Sequence, residues 1–102
     1  MSPQLLARLE RLAAAQIEIL PLPTIEKHFC LSRDGFVALV ERRPDGFGKI
    51  GASGLLTSQG FAALVWRDGV PRFVAKGVDE PANPEQVESL RRFANDLESA
   101  LR

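Results

Sequence analysis

Apolar residues recur every three or four positions near both ends of the chain, which is the spacing of one face of an α-helix. The first run follows Ser2-Pro3, a capping serine with proline at the first helical position. The second follows Asn83-Pro84, and Gln86 completes a capping box there. The pattern predicts two helices, with apolar stripes formed by Leu6, Leu9, Ala13, Ile17 and Leu20 in the first and by Val87, Leu90, Phe93, Ala94, Leu97 and Leu101 in the second.

The end of the first helix has two interpretations. The helix must stop by Pro21 to Pro23, because proline cannot continue it. The β-branched pair Ile17 and Ile19 leaves open an earlier stop with an extended segment after it.

Four short turns that close on glycine divide the middle of the chain into five strand-length segments. They are Arg33-Asp34-Gly35, Pro44-Asp45-Gly46, Ser58-Gln59-Gly60 and Arg67-Asp68-Gly69. Such turns join neighbouring antiparallel strands. The predicted fold is therefore α+β, a two-layer sandwich in which a five-stranded antiparallel meander is flanked by N- and C-terminal helices (α-β5-α). Residues 1–102 form one domain, and residues 77–82 form a loop before the second helix.

Two registers compete in the first hairpin. A three-residue loop with a glycine bulge places Lys27 opposite Glu41, whereas a two-residue loop places Lys27 against Arg42. We expect the first register because it pairs opposite charges. It puts Ile25, Phe29, Leu31, Val37 and Leu39 on the core face, and Glu26, His28, Cys30, Phe36, Ala38 and Val40 on the other.

In the last hairpin, a tight Asp68-Gly69 turn sorts the side chains onto two faces. The larger set, Leu64, Trp66, Pro71 and Phe73, faces the core. The opposite set is Phe61, Ala63, Val65, Arg72, Val74 and Lys76.

Combining both hairpins leaves the second face of the sheet apolar, at Phe36, Val40, Phe61, Val65 and Val74. A plain two-layer protein shows a polar face there. A second copy of the chain, another protein or a small ligand could cover this surface, and a twofold contact needs only one patch, which favours a homodimer. The alternative is that these are scattered exposed residues, or that a one-residue slip exchanges the faces.

Charge and composition exclude several classes of protein. Thirteen basic and thirteen acidic residues give a formal net charge of zero, whereas nucleic-acid binders carry a basic excess. No apolar run has the length of a membrane span, and no secretory signal is apparent. A single cysteine cannot form an intramolecular disulfide, so we expect a cytoplasmic protein without a membrane or nucleic-acid partner.

Candidate chemistry is sparse. Gly46 to Gly51 matches the spacing G-x-G-x-x-G, but it starts in a turn between antiparallel strands, so we expect an irregular strand instead of a nucleotide site. His28 and Cys30 alternate onto one strand face near Glu26, an incomplete set for a metal. We expect no metal, no cofactor and no catalytic set. The resulting hypothesis is a non-enzymatic interaction or adaptor domain; the alternative is a ligand-binding protein or minor enzyme that uses His28, Cys30, Gly48 and Lys49.

The α-β5-α order resembles the frataxin-like arrangement in topology. In that family an acidic first helix serves iron and partner binding. Here the first helix offers Glu10 and Glu18 against Arg8 and Arg11, so the resemblance implies the fold and not the iron-related role.

Overall fold

The structure is a computed structural model that describes residues 3–20, 26–44, 46–58 and 60–102. Over these residues the chain forms an α+β fold with two helices and one antiparallel sheet of seven strands in sequential order. The predicted antiparallel meander is confirmed, but it has seven strands instead of the predicted five. Predictions on Ser2, residues 21–25, Asp45 and Gln59 lie outside the described residues. The elements are α1 (Pro3–Ala14), β1 (Glu18–Leu20), β2 (His28–Arg33), β3 (Phe36–Arg43), β4 (Gly46–Thr57), β5 (Gly60–Arg67), β6 (Val70–Ala75), β7 (Val78–Pro81) and α2 (Pro84–Ala100).

The first added strand, β1, follows from the way α1 ends. Gln16 adopts a left-handed φ of 61°, its N–H donates to Ala13 O, and the N–H of Ile17 donates to Leu12 O. These are the paired bonds of a Schellman motif, and the accompanying apolar pair, Leu12 and Ile17, is buried in the core. The earlier stop of the helix is therefore the correct interpretation. The apolar stripe of α1 differs from the predicted one. Leu12, which is outside the predicted stripe, is buried, whereas Leu6, which belongs to it, is 50% exposed.

The second added strand, β7, lies where we expected a loop over residues 77–82. Lys76 and Gly77 form another two-residue turn, with Gly77 at a φ of 81°, and Val78 pairs with Ala75. The loop prediction is wrong because this turn lacks the aspartate that precedes glycine in three of the four predicted turns, although its glycine has the same conformational role.

The first hairpin has the two-residue loop, so the predicted three-residue register is wrong. Asp34 and Gly35 both have positive φ, 54° and 83°; Arg33 pairs with Phe36, and the N–H of Arg42 donates to Lys27 O. A turn of this kind matches the twist of the flanking strands. An exposed charge pair is worth no more than about 1 kcal/mol, too little to impose the other register.

The last hairpin has the predicted register. Asp68 and Gly69 have φ values of 50° and 77°, Leu64 pairs with Phe73, and Trp66 pairs with Pro71. Leu64 and Phe73 pack in or against the core, but Trp66 is 60% exposed and is not the buried anchor that its alternation suggested.

Both helices pack on one face of the sheet. The capping box predicted for α2 is present: Asn83 Oδ1 accepts from Gln86 N at 2.8 Å, and Gln86 Oε1 accepts from Asn83 N at 2.9 Å. Among the described helices, none is long and apolar enough to cross a bilayer. The core cluster consists of Leu12, Ile17, Leu31, Ala38, Val40, Ala62, Phe73, Leu90, Phe93, Leu97 and Ala100.

The side chain of Arg33 connects three elements at the edge of this core. Its Nη1 donates to Ala15 O at 3.2 Å and to Asp96 Oδ2 at 2.8 Å, and its guanidinium lies 5.5 Å from the centre of the Phe93 ring. It thereby holds the end of α1 and the middle of α2 against β2.

Strand β4 is irregular, as its glycines predicted, with register shifts against β3. At Gly54, a Cβ atom would lie 1.9 Å from the main-chain oxygen of Ala62, whereas at Gly51 it would lie 3.3 Å from that of Leu39. A main-chain atom inside the ladder cannot move away without breaking pairing, so β4 and β5 require glycine at position 54.

We expect Gly54→Ala to lower the free energy of unfolding by more than about 3 kcal/mol or to prevent folding, because the new methyl displaces the β5 backbone. Gly51→Ala is the matched control on the same strand and should cost less than about 1 kcal/mol. Urea denaturation monitored by Trp66 fluorescence measures both. Equal midpoints for the two variants would contradict the close approach.

Candidate functional site

A row of directly opposed residues crosses all seven strands on the face away from the helices. Each residue is the register partner of the next, in the order Glu18, Ser32, Val37, Gly54, Ala63, Val74 and Asp79. Direct partners point to the same side of an antiparallel sheet. The centre of this face is therefore small and apolar, and its two ends carry acidic residues.

Larger apolar residues lie on both sides of this row. Leu56 and Phe61 are register partners on one side, and Leu39 and Val65 follow by strand alternation on the other. Leu56 is 40% exposed, and Val37 has no exposed surface although it is outside the helix-side core cluster. Val37 therefore adds no contact area, and we call the apolar residues of this face that are at least partly exposed the second-face patch: Leu39, Leu56, Phe61, Ala63, Val65 and Val74.

The second-face patch retains three of the five predicted interface residues, Phe61, Val65 and Val74. Phe36 and Val40 are corrected: Val40 has no exposed surface and belongs to the core, and Phe36 packs against that core. Their side chains face the helices because the first hairpin has a two-residue loop.

The prediction from sequence assigned Val37 and Leu39 to the core face and made no assignment for Leu56. Interpreting Asp34-Gly35 as a two-residue turn would have placed Val37 and Leu39 on the second face, because that register reverses the faces of β3.

An ion-pair cluster borders the patch at the β7 end. Arg72 Nε lies 2.6 Å from Asp79 Oδ1, and Arg67 Nη1 lies 3.4 Å from Asp79 Oδ2. The hydrogen bond from Arg72 lowers the pKa of Asp79, and the charges of Arg72 and Arg67 add to this effect. Two guanidinium groups share one carboxylate, so this end of the face has an excess positive charge.

The opposite end of the face is acidic. Glu18 is exposed at β1, and within the described ranges it forms no ion pair. The patch thus has an unpaired negative charge at one edge and an excess positive charge at the other.

The two edge strands are poorly suited to pairing with another sheet. In β7, Pro81 lacks an N–H donor and Asp79 and Glu80 are exposed, while β1 has only three residues. Charges, proline and short length are the usual features that prevent edge-to-edge association. The second-face patch is therefore better suited to a contact than the edge strands that the structure describes.

The alternative site, His28, Cys30, Gly48 and Lys49, does not form one cavity. Gly48 and Lys49 line a shallow depression of about 460 Å³ beside α2, with Ile50, Ala94, Glu98, Leu101 and Arg102. His28 and Cys30 are outside this lining. Among the described residues, no group of three potential metal ligands occurs, and the G-x-G-x-x-G spacing lies inside β4 with no helix following it.

His28 belongs instead to a charged group around Glu41, its register partner. Arg43 donates a hydrogen bond to Glu41 and is the main cause of the lowered pKa of that carboxyl, with smaller contributions from Lys49 and His28. A Cβ at Gly48 would lie 2.5 Å from Glu41 Oε1, so Gly48 leaves room for this pair. The group has the form of an exposed structural ion pair.

The environment of Cys30 disfavours reactions of its thiol. Its side chain is 2% exposed, and burial raises the pKa of its thiol. A protonated, buried thiol is neither a nucleophile nor a good metal ligand at neutral pH.

We expect Cys30 to react with a thiol-specific disulfide reagent at pH 8 only as fast as the protein unfolds. In a Trp66→Cys variant, the new exposed thiol should react in a fast phase of one equivalent and Cys30 in a separate slow phase. A single fast phase of two equivalents would show that Cys30 is accessible.

The raised pKa of the Cys30 thiol predicts how the stability of the fold depends on pH. The native state holds the thiol proton more tightly than the unfolded state, so this contribution is complete below the unfolded pKa and is lost as pH rises through the folded pKa. The urea midpoint should therefore fall more steeply at alkaline pH in the wild type than in Cys30→Ala.

A comparison with protein-family models, curated proteins and solved structures found no match for this chain.

Proposed function

We propose that this domain is a non-enzymatic protein-interaction domain that self-associates through the second-face patch. The proposal rests on the apolar side chains of the second face of the sheet. The core cluster, which includes the buried side chains of both helices, lies on the other face and does not cover them. An antiparallel sheet whose second face meets only water carries polar side chains there.

The size of the patch limits the strength of an interface. Four strands spaced about 4.8 Å apart and three rows about 7 Å apart give a footprint of roughly 400 Å², of which the patch residues occupy about half. This apolar area does not exceed the largest patch on a typical monomer, roughly 300 to 600 Å², which is often functional. The whole footprint is about half of the roughly 800 Å² per partner found in a standard interface. We therefore expect a concentration-dependent dimer with a dissociation constant in the micromolar range or weaker.

The charges at the two edges favour a second copy over an unrelated partner. A twofold axis parallel to the strands places β1 of one copy above β7 of the other. Glu18 then lies over the partner's Asp79, where the adjacent Arg67 and Arg72 leave a local excess of positive charge. The same contact occurs twice by symmetry. With zero formal net charge, the two copies also lack long-range repulsion.

We expect Val65→Glu to produce a folded monomer, because two carboxylates would be buried in the twofold contact. Light scattering from about 10 µM to about 1 mM should show the wild-type mass rising from 11.2 kDa toward twice that value, while the variant stays at the monomer mass. Leu6→Glu, at a 50% exposed position on α1, is the control and should dimerise normally. A wild type that remains monomeric at all concentrations would refute self-association.

Val40→Glu is unsuitable for this experiment. Its side chain is in the core, so the substitution should unfold the domain without reporting on an interface.

Charge reversal at Glu18 tests the relative orientation of the two copies in the proposed dimer. Glu18→Lys should weaken dimerisation about five-fold or more at low salt, since two ion contacts become repulsive. Glu10→Lys makes the same charge change on α1 and should leave the dissociation constant within about two-fold. Equal effects from the two variants would reject the β1-over-β7 arrangement while leaving the patch as the contact surface.

A further inference from the structure

A small basic cavity lies on the helix layer, away from the second-face patch. Its volume is about 240 Å³, and it is lined by Gln4, Ala7, Arg8, Arg11 and Arg102. Gln4, Arg8 and Arg11 are four and three residues apart and therefore share one side of α1. The lining residues that the structure describes include three guanidinium groups and no carboxylate side chain.

The arginines of the cavity are incompletely neutralised. Arg11 Nε donates to Ala100 O at 2.9 Å and its Nη2 to Arg102 O at 2.7 Å, both main-chain oxygens. The guanidinium of Arg102 is 3.5 Å from Glu98, a contact between two exposed side chains that is worth little. Arg8 forms no ion pair with any described residue.

The Nε of Arg8 shows that this guanidinium is partly buried without a compensating partner. It is shielded from solvent, and no hydrogen-bond acceptor in the described structure reaches it. Arginine stays protonated at every physiological pH, so the group cannot escape the cost of burial by losing its charge. Buried donors of native proteins almost always have a partner in the protein, in water or in a bound ion.

We propose that this cavity binds a phosphate group carried on a small molecule. Phosphate oxygens accept from the terminal Nη groups of Arg8, and the negative charge offsets the cost of a guanidinium whose Nε is buried without a partner. The remaining oxygens face Arg11, Arg102 and the Gln4 amide, more donors than a single carboxylate can use. The cavity is smaller than the 300 to 1,000 Å³ that is roughly typical for drug-sized ligands, so the ligand is compact.

Inorganic pyrophosphate is the probe for this site. Pyrophosphate is titrated into the protein at constant ionic strength in an isothermal titration calorimeter. We expect saturable binding with a dissociation constant below about 1 mM. Citrate, a carboxylate anion of similar size, should bind at least about ten-fold more weakly. Saturating pyrophosphate should raise the melting temperature by several degrees.

Arg8→Met separates the site from the stability of the fold. Methionine keeps the aliphatic length of the side chain and removes the unsatisfied donor, so without anion its melting temperature should equal or exceed that of the wild type. It should weaken pyrophosphate binding at least about ten-fold and abolish the thermal shift. Arg91→Met, on the exposed surface of α2 beside Glu88, makes the same change in charge and should leave binding within about two-fold.

Three results would overturn the proposal: no saturable binding of pyrophosphate up to about 10 mM, equal binding by Arg8→Met and the wild type, or tighter binding of citrate than of pyrophosphate. Because the cavity and the second-face patch lie on opposite sides of the sheet, these results are independent of whether the domain dimerises.

Discussion

The length of the Asp34-Gly35 turn is the constraint on which the rest of the structure depends. A two-residue turn with positive φ at both positions fixes the pairing of Arg33 with Phe36. Side chains alternate along a strand, so this one pairing decides that Ala38 and Val40 face the helices. One additional residue in the loop would move both onto the other face and bring Val37 and Leu39 into the core. The turn thereby defines the core and the second-face patch together.

The turn and the helix layer reinforce each other through Arg33, the residue that precedes it. In the observed register this side chain is on the helix side, where it bonds to Ala15 O and Asp96 and lies over Phe93. Its contacts join α1, β2 and α2 at one point. The charge pair of the rejected register, Lys27 with Glu41, lies on the surface and offers no such network. Local backbone geometry and a partly buried cation therefore both favour the two-residue turn.

The sequence predicts the parts of this fold whose signals are local. The capping box at Asn83, the Asp68-Gly69 hairpin and the irregular β4 all follow from residue types at fixed spacing. The three-residue strand β1 is only one of two interpretations that the sequence leaves open, because Ile17 and Leu20 also continue a helical spacing, and the left-handed Gln16 that ends α1 decides between them. The basic cavity escapes prediction, since Arg102 reaches Arg11 only through the packing of α2 against α1. For Phe36 and Val40, a difference of one residue in register separates the predicted face from the observed one.

The two proposed sites can coexist in one assembly. A dimer formed by the second-face patch has four layers, with two sheets inside and a helix layer outside each of them. The basic cavity lies between α1 and the end of α2 on that outer layer, so a face-to-face partner leaves it accessible. A ligand could alter dimerisation only by shifting α1, whose Leu5 packs closely against Gly46 at the start of β4. Since Arg11 already ties α1 to Ala100 without any ligand, phosphate binding adds a partner to Arg8 on a helix that is already in place, and the two equilibria are expected to be nearly independent.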